Sequence, residues 1–216
     1  MVLSRTIRRF AILCAICVLP ATLVAQATAD ADGETTLIAQ ADTMTAAVEA
    51  DRSTVSFTSN APAERIVGTA SELSGSISFS PDDWGTVTGT IQFPVTSMRT
   101  GNSMRDRHLA GDDWLRADVN PNVTFEITRV EVTSSTTEGE RTDVSGVAHG
   151  TLTLNGVSKP TTASIEVAVL ADTRRVRVNF NLDANIVDHE VVGRRNSIGR
   201  EVAEVISVEG TVYAGY

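Results

Sequence analysis

Cysteine is almost missing from this 216-residue chain: Cys14 and Cys17 are the only two, and both lie in an apolar run near the N-terminus. The remainder can therefore hold no disulfide, no thiol nucleophile and no thiolate metal site. Histidine is nearly as scarce. His108, His149 and His189 lack the close spacing of metal ligands, so no metal is expected. Lysine occurs once, at Lys159, and basic residues number 18 against 27 acidic ones. Such a balance repels nucleic acid and anionic membrane faces. No basic stripe or zinc-finger spacing argues otherwise, and no nucleic-acid partner is expected. Nor is there an apolar run of about 20 residues, the length a membrane-crossing helix needs. The longest, Phe10 to Val24, has 15 and is interrupted by Pro20.

What is present at the N-terminus has three parts. Arg5, Arg8 and Arg9 make a basic start, the apolar run follows, and the small residues Ala25, Ala27 and Ala29 close it. This is the layout of a secretory signal peptide over 1–27, with a cut after Ala27 or Ala29 and export to the periplasm or beyond. The alternative is an N-terminal membrane anchor, for which the run is short. Arg8-Arg9 is weak support for the twin-arginine route over the general one. Cleavage after Ala27 leaves 15 basic and 27 acidic residues, a net charge of −12. Residues 28–47 are small, polar and without period, which predicts a flexible linker. Residues 48–216 form one domain, and no stable membrane insertion of the mature chain is expected.

From about Val48 the pattern is alternation. It runs through Val55-Ser56-Phe57, Ile77-Ser78-Phe79, Ile91-Gln92-Phe93 and Val123-Thr124-Phe125-Glu126-Ile127, with a shift near Thr128 that suggests a bulge. Leu152-Thr153-Leu154, Ile165-Glu166-Val167, Val176 to Leu182 and a last run with Ile206, Val208 and Val212 continue it. Period two with β-branched and aromatic residues predicts strands buried on one face. Ser80-Pro81-Asp82-Asp83 and Ala171 to Arg174 read as turns, and Ser134 to Glu140 as a polar loop tip. Eight to ten short strands point to an all-β sandwich or barrel.

One segment departs from period two. Asn102 can cap a helical turn through His108 or Leu109, Asp112 a second turn holding Trp114 and Leu115, and Asn120-Pro121 ends the excursion. Phe57, Phe79, Phe93, Phe125 and Phe180 each sit on the apolar side of a run. In a sandwich they fill the core. In a wide enough barrel they line a cavity, where each methylene of a chain-like ligand contributes about 0.8 kcal/mol on burial. Alternation does not choose between these.

Two motifs carry a family resemblance. Thr100-Gly101-Asn102-Ser103-Met104-Arg105-Asp106-Arg107-His108-Leu109, followed by Trp114 and by Pro121-Asn122-Val123-Thr124-Phe125, resembles the YceI family. So does Gly150-Thr151-Leu152-Thr153-Leu154-Asn155-Gly156-Val157-Ser158-Lys159-Pro160, with a weaker match from Gly68 to Phe79. Trp114 stands where phenylalanine is more usual, and Ile198 where the family often has an aromatic before glycine. The family is known for periplasmic, polyisoprenoid-binding, lipocalin-like proteins. The resemblance implies an antiparallel barrel of about eight strands with a short helical crossover near its mouth. It also implies an elongated apolar ligand: a polyisoprenoid, a prenyl quinone or a fatty amide. No other cofactor is implied, and family members are often homodimers. Inward candidates are Phe57, Ile77, Phe79, Ile91, Phe93, Phe125, Ile127, Leu152, Leu154, Ile165, Val167, Val178, Phe180, Ile206 and Val208. Met104, Arg105, His108, Leu109 and Trp114 are candidates for the mouth or for a head-group contact.

Catalysis would need His108 paired with Asp106 and a hydroxyl such as Ser103. Residues two apart on a helix do not share a face, so His108 is expected to serve a polar network that fixes the crossover, or to meet a head group, before it serves chemistry. Asn122-Val123-Thr124 matches a glycosylation triplet, a short and common pattern. Arg194-Arg195 is expected at the surface, with an anionic head group as the alternative contact. Three functions follow in order: an apolar-ligand carrier, a stress or interaction protein with a filled barrel, and an enzyme acting on a lipid.

Overall fold

A computed structural model describes residues 28–29, 35–36 and 42–216. The expected signal segment, with Cys14 and Cys17, lies outside the described residues. Two short strands, β1 (Thr28–Ala29) and β2 (Thr35–Thr36), pair antiparallel with each other. The described residues from 42 onward belong to one compact unit, which contains the domain. No helix among the described residues is long and apolar enough to cross a membrane.

The domain is built from β3 (Met44–Val48), β4 (Thr54–Asn60), β5 (Arg65–Ala70), β6 (Ser74–Ser80), β7 (Asp83–Pro94), helix α1 (Ser103–Leu109), β8 (Asn122–Glu138), β9 (Arg141–Leu154), β10 (Val157–Leu170), β11 (Arg175–Asn185) and β12 (Val205–Gly215). Every pairing between these strands is antiparallel. The order β3-β6-β7-β8-β9-β10-β11-β12 returns to β3, so eight strands close into a barrel, as the resemblance implied. Closure depends on β12, which is shared along its length. Its last residues, Ala214 and Gly215, pair with β3, while Ile206 to Thr211 pair with β4. The β4–β5 hairpin thus continues the wall at one end only.

The alternation seen in the sequence becomes burial in register. β5 alternates exposed and buried at every residue, and Val55, Phe57 and Ser59 of β4 all point inward. The shift expected near Thr128 is a register break between Ile127 and Arg129. Two segments differ from the sequence expectation. Residues 44–47, assigned to the linker, form a barrel strand, with Ala46 fully buried. Met-Thr-Ala-Ala has too little bulk to show its inward face, and its place is set by partners in β6 and β12. Ser134 to Glu138, assigned to a loop, extend β8, paired with β9 down to a tight turn at Gly139-Glu140. Both faces of that hairpin meet water, so its threonines and serines carry no hydrophobic period to read.

Candidate functional site

The two ends of the barrel differ. At one end Phe79 stacks on Trp84, with ring centroids 5.5 Å apart, and meets Tyr216 edge-on at 5.3 Å. With Ile77, Ala46, Val212 and Ala214 they form a packed plug. Toward the other end the interior is open, with an apolar cavity of about 460 Å³. That size falls in the range of small-molecule sites.

Most of the inward candidates meet in this cavity. Phe57, Ile91, Phe93, Phe125, Ile127, Leu152, Leu154, Ile165, Val178, Phe180, Ile206 and Val208 line it, and so do Met104, Arg105, His108, Leu109 and Trp114 at the rim. Three candidates stand elsewhere. Ile77 and Phe79 belong to the core at the plugged end, and Val167 packs against that core outside the cavity wall. They share the inward face with the others; depth along the barrel separates them, and alternation does not encode depth. Residues missed in the sequence include Ala148, Ala163 and Ala184, buried small residues in the wall, and Ser59, Ser197 and Glu201 near the rim.

Why the interior stays open is visible at its phenylalanines. Phe57 is the cross-strand partner of Gly68, and Phe180 of Gly210. The Phe57 ring lies across Gly68, where an added Cβ would collide with it and would stand 2.8 Å from the Arg99 carbonyl oxygen. The Phe180 ring covers Gly210 in the same way, 2.8 Å from such a Cβ. The rings thus lie down on the wall instead of filling the lumen. Gly68→Ala should destabilise the fold by about 1–3 kcal/mol through overpacking. Thermal unfolding reads this, and an unchanged midpoint would mean that the ring has other room.

The rim is formed by four pieces of chain: α1 and the turns after it, the 186–204 segment, the β4–β5 turn and the β9–β10 turn. Helix α1 begins as the sequence predicts. Asn102 Oδ1 accepts from the Met104 and Arg105 amides at 3.0 and 3.2 Å. The second turn expected after Asp112 is present, with Trp114 and Leu115 in a run of hydrogen-bonded turns. Arg105 Nη2 donates to Glu64 Oε1 at 2.6 Å, tying α1 to the β4–β5 turn. On the other side Arg194 Nε donates to Asp113 Oδ2 at 2.9 Å, and Arg194 Nη1 to His108 Nε2 at 3.0 Å. Because a guanidinium only donates, His108 accepts here, with its own proton on Nδ1.

Asp106 faces away from His108. The Thr100 amide and hydroxyl both donate to its Oδ1, at 2.8 and 2.7 Å. Burial pushes the Asp106 carboxyl up, but the two Thr100 bonds and the charges of Arg99 and Arg105 outweigh it and hold the group below the usual carboxylate range. A depressed native value stabilises the fold above the unfolded value of about 3.9 and ceases to do so as pH falls through the native one. Asp106→Asn should therefore lower stability at neutral pH, and its deficit should shrink on acidification through that range. Urea unfolding at several pH values tests this; a deficit independent of pH would contradict it.

Behind the rim, the second sequence motif has a structural task. Asn155, in the β9–β10 turn, is 2% exposed and has φ of +52°. Its side chain donates to the His189 and Glu190 carbonyls at 3.1 and 3.2 Å and accepts from Arg116 Nε at 3.0 Å. Three rim segments are thereby tied to one amide. His189 is buried, its Nδ1 donating to the Val157 carbonyl at 2.8 Å, while His149 meets Glu131 at 3.3 Å.

Comparison with known proteins agrees with this architecture. A 28% identity over 149 residues, 67% of this chain and 73% of the relative, links it to Protein YceI of Shigella flexneri. The same identity and coverage hold for a UPF0312 protein of Pseudomonas aeruginosa strain LESB58. Among solved structures, Burkholderia cenocepacia BcnA superposes with a TM-score of 0.59 at 21% identity, over 77% of this chain and 99% of that one. A polyisoprenoid binding domain from Saccharophagus degradans gives 0.57 at 18%, over 79% and 97%. Campylobacter jejuni YCEI protein gives 0.55 at 25%, over 73% and 88%. The YceI-like domain profile matches residues 47–212, nearly the whole barrel, and the chain belongs to that family.

Proposed function

We propose that this is an exported binding protein that holds an elongated apolar ligand, a polyisoprenoid, a prenyl quinone or a fatty amide, inside the barrel, and that it does not transform it. The observation that carries this reading is the apolar cavity of about 460 Å³, plugged at one end and kept open by phenylalanines folded onto glycines. Its wall offers methyl groups and aromatic faces, so affinity would rise with chain length at about 0.8 kcal/mol per buried methylene. The same fold occurs in the Saccharophagus domain named for polyisoprenoid binding, which supports the ligand class.

The polar groups gather at the rim. There Arg105, His108 and Arg194 stand where the head of an amphiphile would emerge from the cavity. Their arrangement favours positioning over chemistry, because Asp106 is engaged by Thr100 and His108 accepts from a cation, so no acid–base pair is assembled. Export follows from the basic, apolar and small-residue order of the first 27 residues. A barrel filled by its own side chains, the competing reading, has no use for such a cavity.

Extraction of protein purified without detergent into organic solvent, followed by mass spectrometry, should yield one long-chain apolar species in near-equal amount to protein. An empty extract, together with failure to bind an added prenol, would sink the proposal.

A further inference from the structure

The ligand class proposed above is soluble in a bilayer and nearly insoluble in water. A protein that exchanges such a ligand has to present its cavity mouth to the bilayer or wait for rare free molecules. The surface around the mouth bears on that choice. Among the described residues the three most exposed large apolar side chains are Val192 (78%), Val119 (68%) and Met104 (58%). All three lie on the two segments that cover the mouth, 103–120 and 186–204. These segments are in contact, since the Gly193 amide donates to the Asp113 carbonyl at 2.8 Å and Arg194 reaches both Asp113 and His108. Val187, half exposed, lies on the second segment as well. Apolar side chains projected into water from the segments that frame an apolar cavity suit an interface with something apolar.

We infer that this rim is a bilayer-docking surface through which ligand passes between membrane and barrel, an inference that rests on the binding reading above. The charge pattern says what kind of bilayer. Residues 103–120 and 186–204 carry six arginines against eight carboxylates, and Arg105 and Arg194 are already paired with Glu64 and Asp113. No net positive field draws the rim to anionic lipid. Docking is through apolar insertion at a zwitterionic surface, shallow and reversible, and anionic lipid weakens it.

The test is transfer of a pyrene-labelled prenol from phosphatidylcholine vesicles to the protein, followed by fluorescence at increasing vesicle concentration. Val119 and Val192 are outside the cavity wall, so the double variant Val119→Glu with Val192→Glu keeps the binding groups. Val132→Glu, on the exposed β8–β9 hairpin, adds a charge elsewhere. The expected result is a wild-type and Val132→Glu rate that rises in proportion to vesicle concentration, and a rate about tenfold lower for the double variant, as loss of partial burial of two side chains implies. All three should bind a short, water-soluble geranyl fluorophore equally. Equal transfer by the double variant, or a rate independent of vesicle concentration, would overturn docking while leaving binding intact. Failure of every protein to take up either probe would overturn the binding reading and docking with it.

Discussion

Val208→Trp should empty the barrel of the ligand proposed for it. Val208 lines the cavity on β12, in register with Phe57 of β4 and Leu182 of β11, and is only partly covered by its neighbours. An indole at that position projects into space that the folded-down Phe57 and Phe180 rings leave free. Displacing even three methylenes of a bound chain removes about 2.4 kcal/mol, roughly a fiftyfold loss of affinity. The added bulk enters a void, so its cost to folding should lie at or below the low end of the usual 1–3 kcal/mol for overpacking. Ligand recovered by extraction should fall to a small fraction of wild type, with the melting transition kept. Val208→Ala, which enlarges the cavity, should retain ligand. Retention of wild-type amounts by the tryptophan variant would show that the ligand does not occupy this part of the barrel.

Asn155→Ala should be the most destabilising single change at the rim. It removes two donors from the His189 and Glu190 carbonyls and the acceptor for Arg116, all within a largely buried network. Groups left unpaired in such a place cost about 1–3 kcal/mol each before relaxation. Asparagine also tolerates the left-handed backbone at φ +52°, which alanine adopts at a cost of roughly 1 kcal/mol. Once the rim relaxes and water reaches the freed groups, about 3 kcal/mol remains, which corresponds to a fall of about 6–12 °C in the melting temperature of a domain this size. Two further variants separate the contributions. Asn155→Gly relieves the backbone but makes no side-chain bond, so it should recover about a third of the loss. Asn155→Asp still accepts from Arg116 but has no proton to give the carbonyls. If glycine restored full stability, backbone conformation alone would explain the motif.

Both motifs that made the sequence familiar turn out to shape the rim. Thr100 to Leu109 was legible as a capped helix because Asn102 signals its start locally. Its partners were not legible. Glu64 lies 41 residues from Arg105, and Arg194 lies 86 residues from His108. No local pattern encodes those pairings, which exist because the ends of β4 and β11 reach the same end of the barrel as α1. Gly150 to Pro160 was recognisable as a string, but the role of Asn155 as a clamp depends on segments that meet only in the folded chain. β3 went unread because small residues leave no hydrophobic trace.

Within the alternating runs, the inward-facing residues were readable from the chain alone, because side chains on a strand alternate between its two faces whatever lies beyond. So were the turns and the capped helix, which local backbone chemistry sets. That the inward faces enclose space came from the folded arrangement. Closure through the shared strand β12 makes a barrel of the sheet. Phe79, Trp84 and Tyr216 plug one end of it. At the other end Gly68 and Gly210 let two phenylalanine rings lie against the wall, so that aromatic residues suited to filling a core instead line a cavity.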